Sequence, residues 1–406
     1  MSPALQVHDV LVINYYGATS QPTHVFNADE GLGYGPNPFM TMHQGLGLSV
    51  YAGRPRPAPV RINLRDLLTR NVPSIGANVR RLFAEIHVQK VNMIIQQESA
   101  DSAVTNDNAL NNETDLFEVS SKPKPMCPEV SPHLLGPISA DSNITHHEHN
   151  ITEESVAFEN QALHDDGSWR PTECRARHRV ALIVPYRDRY PHLIHLLAHL
   201  HPVLQRQQLD YRIYVVEQFG NATFNKARIM NIAFVRALQD QPHLDCVIFH
   251  DVDLIPEDDR NLYTCPEMPR HMSAAIDEMD YKVPYEELVG GVFAIRVEHF
   301  LKVNGYSNLY WGWGAEDDDM AYRLQHVGLR ITRPANRIAR YKMIKHTKRP
   351  AVDGRIRYRL LWTGVRRYRI DGINSLSSLK YQIMSVRPTP LYIHILVDIG
   401  KPPPGF

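Results

Sequence analysis

The sequence has no net charge: 44 lysines and arginines offset 44 aspartates and glutamates over 406 residues. That balance gives no reason to expect a nucleic-acid partner. Cysteine is scarce, with four in all, and none forms a CxxC pair, which argues against a zinc site. No run reaches the roughly twenty apolar residues a membrane-spanning helix needs. The start of the chain also lacks the charged, apolar and small-residue succession of a signal peptide. The expectation is a chain that carries neither leader nor anchor as written. No internal repeat is visible.

What is present points to the secretory pathway nonetheless. Asn112, Asn143, Asn150 and Asn221 each head an N-glycosylation sequon with Thr two residues on. The even cysteine count fits an oxidising compartment, with three pairings open if all are oxidised. Charge is also uneven locally: about fourteen lysines and arginines face a single acid between Arg330 and Arg369. Such a run is either a solvated face or a surface turned toward something anionic.

Residues 1–124 are heterogeneous and read as a stem-like or poorly ordered region ending in a polar linker, Ser99 to Lys124. Within it Leu82, Phe83, Ile86 and Met93 give Val79 to Gln97 a near-helical apolar spacing. From Val180 strands and helices alternate. Val180 to Pro185, Tyr211 to Glu217 and Cys246 to Phe249 read as strands, and His192 to Gln205 and Asn225 to Leu238 as helices. That alternation implies an α/β domain over residues 125–406 with a mainly parallel sheet, whose ligands lie beyond the strand carboxyl ends.

The chemistry concentrates where the apolar run 247–249 stops at Asp251-Val252-Asp253. In extended backbone residues i and i+2 point the same way, so Asp251 and Asp253 are expected to face one volume while Val252 turns into the core. Paired carboxylates suit a hard divalent cation carrying phosphate oxygens, although Asp is also common in plain turns. Further on, Gly290-Gly291 allows close backbone approach before an apolar strand. Then YWGWGAEDDDM, Tyr310 to Met320, sets four consecutive acids before a helical run. Acids packed this closely raise one another's pKa, which suits a general base; acids also decorate ordinary helix N-termini. His346, in the basic region, is a candidate metal ligand.

The motifs VPYRDR, HPVLQRQQLDYRIYVVEQ, FNKARIMN, FHDVDLIP, VGGVFAI, WGWGAEDDD, MIKH and DGINSL occur in that order. On them the chain resembles the β1,4-galactosyltransferase family of type II Golgi enzymes, from about Met126 to Ile399. The resemblance implies a GT-A fold, Rossmann-like with helices on both faces, and a manganese-dependent inverting transfer from a UDP-sugar to a glycan ending in N-acetylglucosamine. It also implies the Golgi lumen and a membrane anchor, which this chain does not show.

Carried over residue by residue, Arg187 and Arg189 hold UDP, with Phe224 on the uracil side. Lys226 stands where many members have Arg, keeping the charge and losing the bidentate fork. Asp251 matches a nucleotide contact, and Val252 and Gly291 also line the donor site. Asp253, Met343 and His346 match the metal ligands; a thioether on manganese is unusual by softness, so Met343 is expected to tune metal preference. Trp313 sits in the glycine-hinged loop that closes over the donor. Glu316, Asp317 and Asp318 match the acceptor-facing acids, with Asp317 the base and Glu316 beside it, and Tyr285 joins Asp318 on the acceptor. The resemblance pairs Cys127 with Cys174 and Cys246 with Cys265.

Two departures stand out. Galactose-using members carry a bulky Tyr two residues before the paired glycines, and here Leu288 takes that place. The smaller wall leaves room for an N-acetyl group, so the expected donor is UDP-N-acetylgalactosamine, with UDP-galactose the alternative. The segment PAVDGRIRYRLLWTGVRRYRI, residues 350–370, does not register against the family's acceptor-proximal stretch, which leaves the acceptor aglycone open. A catalytically dead glycan-binding relative is the remaining alternative, and the intact DVD, EDDD and MIKH motifs argue against it.

Overall fold

The computed structural model describes residues 10–13, 60–63, 124–140, 151–346 and 353–404. The chain divides into two compact units, Met1–Pro73 and Ser74–Phe406. In the first, β1 (Val10–Ile13) pairs antiparallel with β2 (Val60–Asn63). The amphipathic stretch 79–97, the linker 99–123 and the sequons at 112, 143 and 150 lie outside the described residues.

In the second unit a short α1 (Glu153–Glu159) precedes β3 (Arg179–Tyr186), α2 (Tyr190–Arg206), β4 (Asp210–Gln218), α3 (Lys226–Asp240) and β5 (Cys246–His250). Short strands follow: β6 (Leu254–Pro256), β7 (Arg270–His271), β8 (Ala275–Ile276) and β9 (Val292–Arg296). The chain then forms α4 (Val297–Lys302), α5 (Glu316–His326), β10 (Arg340–Met343), α6 (Gly354–Arg367), β11 (Gln382–Pro388) and β12 (Ile393–Asp398).

Seven strands make the main sheet in the order β11-β12-β4-β3-β5-β9-β7. The central four, β12, β4, β3 and β5, are mutually parallel, while β11, β9 and β7 join antiparallel at the edges. The sheet is therefore mixed around a parallel centre, the α/β arrangement expected of a GT-A enzyme. The strand after the paired glycines runs back along β5 and so lies antiparallel to it.

Helices cover both faces because the central strands are apolar on both sides, as buried parallel strands are. Ala181 and Ile183 of β3 pack with α3, α4 and α5 on one face. Val180, Leu182 and Val184 pack with α1 and α2 on the other. Local signals agree with these elements. Pro191 fits the first turn of α2, where no amide donor is needed. Asn225 caps α3 by accepting from the Arg228 amide at 2.9 Å.

Both disulfides form, Cys127–Cys174 and Cys246–Cys265, so the pairing follows the resemblance. A buried ionic network fastens the region after β9. Asp319 accepts from Arg323 Nε at 2.5 Å, from Arg367 Nη2 at 3.1 Å and from the Tyr310 hydroxyl at 3.0 Å. Asp371 in turn takes Arg367 Nε at 3.0 Å and caps the Asn308 amide at 2.9 Å. The fourth acid of the EDDD run thus ties α5 to α6.

Candidate active site

β3, β4 and β5 run parallel and end along one rim, and the segments that leave them carry the candidate residues. Arg187 and Arg189 follow β3, Phe224 and Lys226 lead into α3 after β4, and Asp251 to Asp253 follow β5. Arg187 Nη1 donates to the Ala222 carbonyl at 2.7 Å, and its guanidinium lies 5.1 Å from the Phe224 ring centroid. Cation and ring thus present a flat, positively charged surface at this rim.

The two aspartates are placed by a turn rather than by strand alternation, which corrects the expectation. β5 stops at His250, and the Leu254 amide reaches back to the Asp251 carbonyl at 3.3 Å. Each carboxylate therefore has its own partners. Asp251 Oδ1 takes Lys226 Nζ at 2.7 Å. Asp253 Oδ2 takes Arg189 Nη1 and His346 Nε2, both at 2.8 Å. Val252 does turn into the core, at 6% exposure.

Asp253, His346 and Met343 come from two adjoining segments. β10 pairs with β6 so that Met343 faces Leu254, the residue after Asp253, and the Ile344 amide donates to the Asp253 carbonyl at 2.8 Å. Burial opposes ionisation of Asp253, but His346 and Arg189 outweigh it and hold the carboxyl below its ordinary range. Among the described residues no group of three or more His, Cys, Asp or Glu could hold a metal. A site here therefore needs the thioether as third protein donor. Carboxylate, imidazole and thioether together are a donor set that would take a divalent transition ion.

On the far side of Lys226 stand the acids of α5. Lys226 Nζ is 3.6 Å from Glu316 Oε1 as well as bonded to Asp251. Burial pulls its ammonium down, yet Asp251 and Glu316 overcome this and its pKa ends raised. Asp317 is pushed up to about 7, by burial first and then by the charge of Asp318, with Lys226 pulling the other way. Asp318 is pushed up to about 6 by burial, against a hydrogen bond from Tyr285 and with repulsion from Glu316 and Glu287. Burial also raises Glu316. Tyr285 and Asp318 are thus brought together, and one carboxylate of the run is poised near neutrality.

The paired glycines have separate jobs. Gly291 has φ +85°, and a Cβ there would meet Ser273 Oγ at 2.5 Å and Leu254 Cδ1 at 2.7 Å. Gly290 borders Asp317. Leu288, at 8% exposure, lies within 3.6 Å of the point where a Gly290 Cβ would stand. Two positioning residues escaped the sequence reading. Ser273 Oγ donates to the Gly290 carbonyl at 3.2 Å and accepts from the Val292 amide at 2.8 Å. Arg333 Nη2 donates to the carbonyls of Glu286 and Leu288 at 2.5 and 3.0 Å, clamping the segment that carries Tyr285. Neither has a local signal, since each acts on backbone distant in sequence.

Trp313 is 61% exposed, between Gly312 at φ +83° and Gly314 at φ +102°. A cavity of about 250 Å³, lined by residues including Trp169, Arg179, Tyr211 and Gln241, lies where β3 and β4 begin, away from this rim.

Comparison with known proteins bears directly on this arrangement. Residues 127–266 match the N-terminal region of glycosyl transferase group 7, and residues 270–347 the model described as the N-terminal domain of galactosyltransferase. β-1,4-Galactosyltransferase 1 of Mus musculus is 44% identical over 279 residues, 68% of this chain and 68% of that one. The chain belongs to the β1,4-galactosyltransferase family. It is a glycosyltransferase. β-1,4-Galactosyltransferase 4 of Rattus norvegicus is 45% identical over 274 residues, 67% of this chain and 76% of that one. Among solved structures, the catalytic domain of Drosophila β1,4-galactosyltransferase 7 with xylobiose is 30% identical, covers 55% of this chain and 94% of its own, and has a TM-score of 0.47. A mutant of that enzyme, in complex with manganese, UDP-Gal and xylobiose, is 28% identical with the same coverage and TM-score.

Proposed function

We propose that this family member transfers a galacto-configured sugar from a UDP donor to the 4-hydroxyl of a terminal N-acetylglucosamine, with inversion, Mn2+ as cofactor and the Golgi lumen as its place of work. The observation that carries the reading is Asp317: a carboxylate near neutrality, next to a backbone with no side chain at Gly290, on the rim that also bears Lys226, Asp251 and the Asp253–His346 pair.

Each residue then has a role. Arg187 with Phe224 receives the uracil side of the donor, and Arg189 lies against its diphosphate. Asp253, Met343 and His346 hold Mn2+, which when bound offsets charge on the diphosphate. Asp251, Val252, Gly291 and Lys226 line the donor; Lys226 also keeps Glu316 and Asp251 from repelling one another. Asp318 and Tyr285 orient the acceptor ring, and Glu316 stands beside the base. Asp317 removes the proton of the acceptor 4-hydroxyl as that oxygen attacks the anomeric carbon from the face opposite UDP, so an α donor gives a β linkage. Trp313, on its glycine hinges, closes over the donor and excludes water.

For the sugar itself, the relatives' names support galactose as donor. The second reading, N-acetylgalactosamine, rests on Leu288, whose side chain is smaller than the Tyr of galactose-using members. The test is transfer to free N-acetylglucosamine from each UDP-sugar with Mn2+ present, and the product linkage by NMR. A β1,4 disaccharide from one donor supports the reading, and no transfer from either overturns it.

A further inference from the structure

The cavity where β3 and β4 begin takes no part in the transfer reaction. β3 runs from Arg179 at the cavity to Tyr186 below the catalytic rim, and at roughly 3.3 Å per residue this sets the two about 25 Å apart. The first residues of β3 and β4 supply Arg179, Asp210 and Arg212, and the end of α3 supplies Asp240. The segment before β3 closes the side. Trp169 exchanges two backbone hydrogen bonds with Tyr211, at 3.1 and 2.9 Å, and its half-buried indole lines the cavity.

Two buried polar atoms of the lining residues have no hydrogen-bond partner, Nε of Arg212 and Nδ1 of His243. Buried polar groups are nearly always bonded, so both call for a group that enters from the cavity. The charges, by contrast, are already matched. Arg179 Nε lies 3.5 Å from Asp210 Oδ2, Arg212 pairs with Asp166, and Arg236 Nε bonds Asp240 at 2.8 Å. Burial pushes the Asp210 carboxyl up, and Arg179, Arg170 and Arg212 pull it back. An anion entering here would stand against Asp210 and Asp240, and a cation against the arginines. Hydroxyl groups suit both, since each accepts from a guanidinium and donates to a carboxylate. Water would serve the polar atoms but leave the indole unused, whereas a pyranose sets an apolar C–H face on an aromatic ring and turns its hydroxyls to the polar walls. At about 250 Å³ the cavity is just below the roughly 300–1,000 Å³ of ordinary small-molecule pockets, which fits one ring and no more.

We propose that this cavity is a second, non-catalytic binding site for one neutral pyranose of a glycan. Trp169 carries the ring, Arg212 and His243 meet its hydroxyls, and Asp210 and Asp240 accept hydroxyl protons. The binding stands on the cavity alone; that the bound sugar belongs to another arm of the acceptor glycan rests on the function proposed above.

The test uses the full chain labelled with 5-fluorotryptophan, without Mn2+ or UDP-sugar. The four tryptophans give four fluorine resonances, and that of Trp169 is the one missing from the Trp169→Phe variant. Galactose, mannose and N-acetylglucosamine are titrated in turn, with sorbitol as an acyclic control and inorganic phosphate as an anion. The expected result is a saturable shift of the Trp169 resonance with at least one of the three sugars and none with sorbitol. Asp210→Asn keeps the shape and loses the charged acceptor, so it should weaken that binding about tenfold. No shift with any of the three sugars, an equal shift with sorbitol, saturation by phosphate instead, or unchanged affinity in Asp210→Asn overturns the proposal. A sugar response at Trp313 alone overturns it too. Absence of transfer with the Trp169 response intact would instead overturn the function proposed above.

Discussion

Gly290 stands where any side chain would run into the base: a Cβ built there lies 2.5 Å from Asp317 Oδ2. The atom it meets is the free end of a side chain, so Asp317 can yield without disturbing the core. Gly290→Ala should therefore displace the carboxylate and leave stability almost unchanged. Misplacement of a reacting group by about 1 Å can cost about a hundredfold. The expected result is a fall of that order in kcat with an unaltered melting temperature, read from steady-state kinetics and thermal denaturation.

Asp317 must be ionised to accept a proton, so activity should rise with pH through about 7. Asp317→Asn cannot accept it, and transfer should drop about a hundredfold to ten-thousandfold with UDP binding retained. Stability gives an independent readout. The folded-state pKa lies above the ordinary Asp value, so the associated stabilisation is present below about pH 4 and is lost as pH rises through about 7. The Asn variant should gain stability relative to the native chain above pH 7, and melting curves across pH check this.

Asp253→Ala removes the one carboxylate from the proposed ligand set. Transfer in Mn2+ should be almost abolished, and melting without metal should fall as well, because the variant takes away the buried carboxylate that Arg189 and His346 both bond. Wild-type turnover by this variant would remove the metal assignment.

Leu288→Tyr restores the ring found in galactose-using members. If Leu288 sets the donor, the ratio of N-acetylgalactosamine to galactose transfer should fall by the equivalent of about 1 to 3 kcal/mol. An unchanged ratio would assign donor choice to other side chains of the pocket.

Asp319 is the acid of the EDDD run that pairs with Arg323 and Arg367. Asp319→Ala would take from Arg323, with no exposed side-chain surface, its 2.5 Å partner and leave it the 3.5 Å contact with the Asp371 carboxylate. Breaking a buried pair from one side costs about 3 to 5 kcal/mol, so the urea midpoint should fall markedly. Asp318→Ala, at a half-buried position, should affect acceptor KM more than stability.

The sequence by itself determined the α/β class, the strand and helix sites along the parallel centre, and the family. These are properties of contiguous residues: apolar runs such as 180–184, the caps and breakers at Asn225 and Pro191, and motifs long enough to carry a resemblance. Tertiary structure decided the rest, because it depends on which distant groups meet. The division of the four acids into Glu316, Asp317 and Asp318 on one side and Asp319 in a structural network on the other follows from Arg323 and Arg367, which bond Asp319 and which no local pattern joins to it. The placing of Asp251 and Asp253 by a turn follows from where β5 stops pairing with β9, which ends the alternation that a continuing strand would have kept. The clamp of Arg333 on Leu288 and the close approach of Gly290 to Asp317 are contacts between segments brought together only when the sheet closes. Side-chain chemistry is written in the chain, but its partners, burial and hence its pKa belong to the fold.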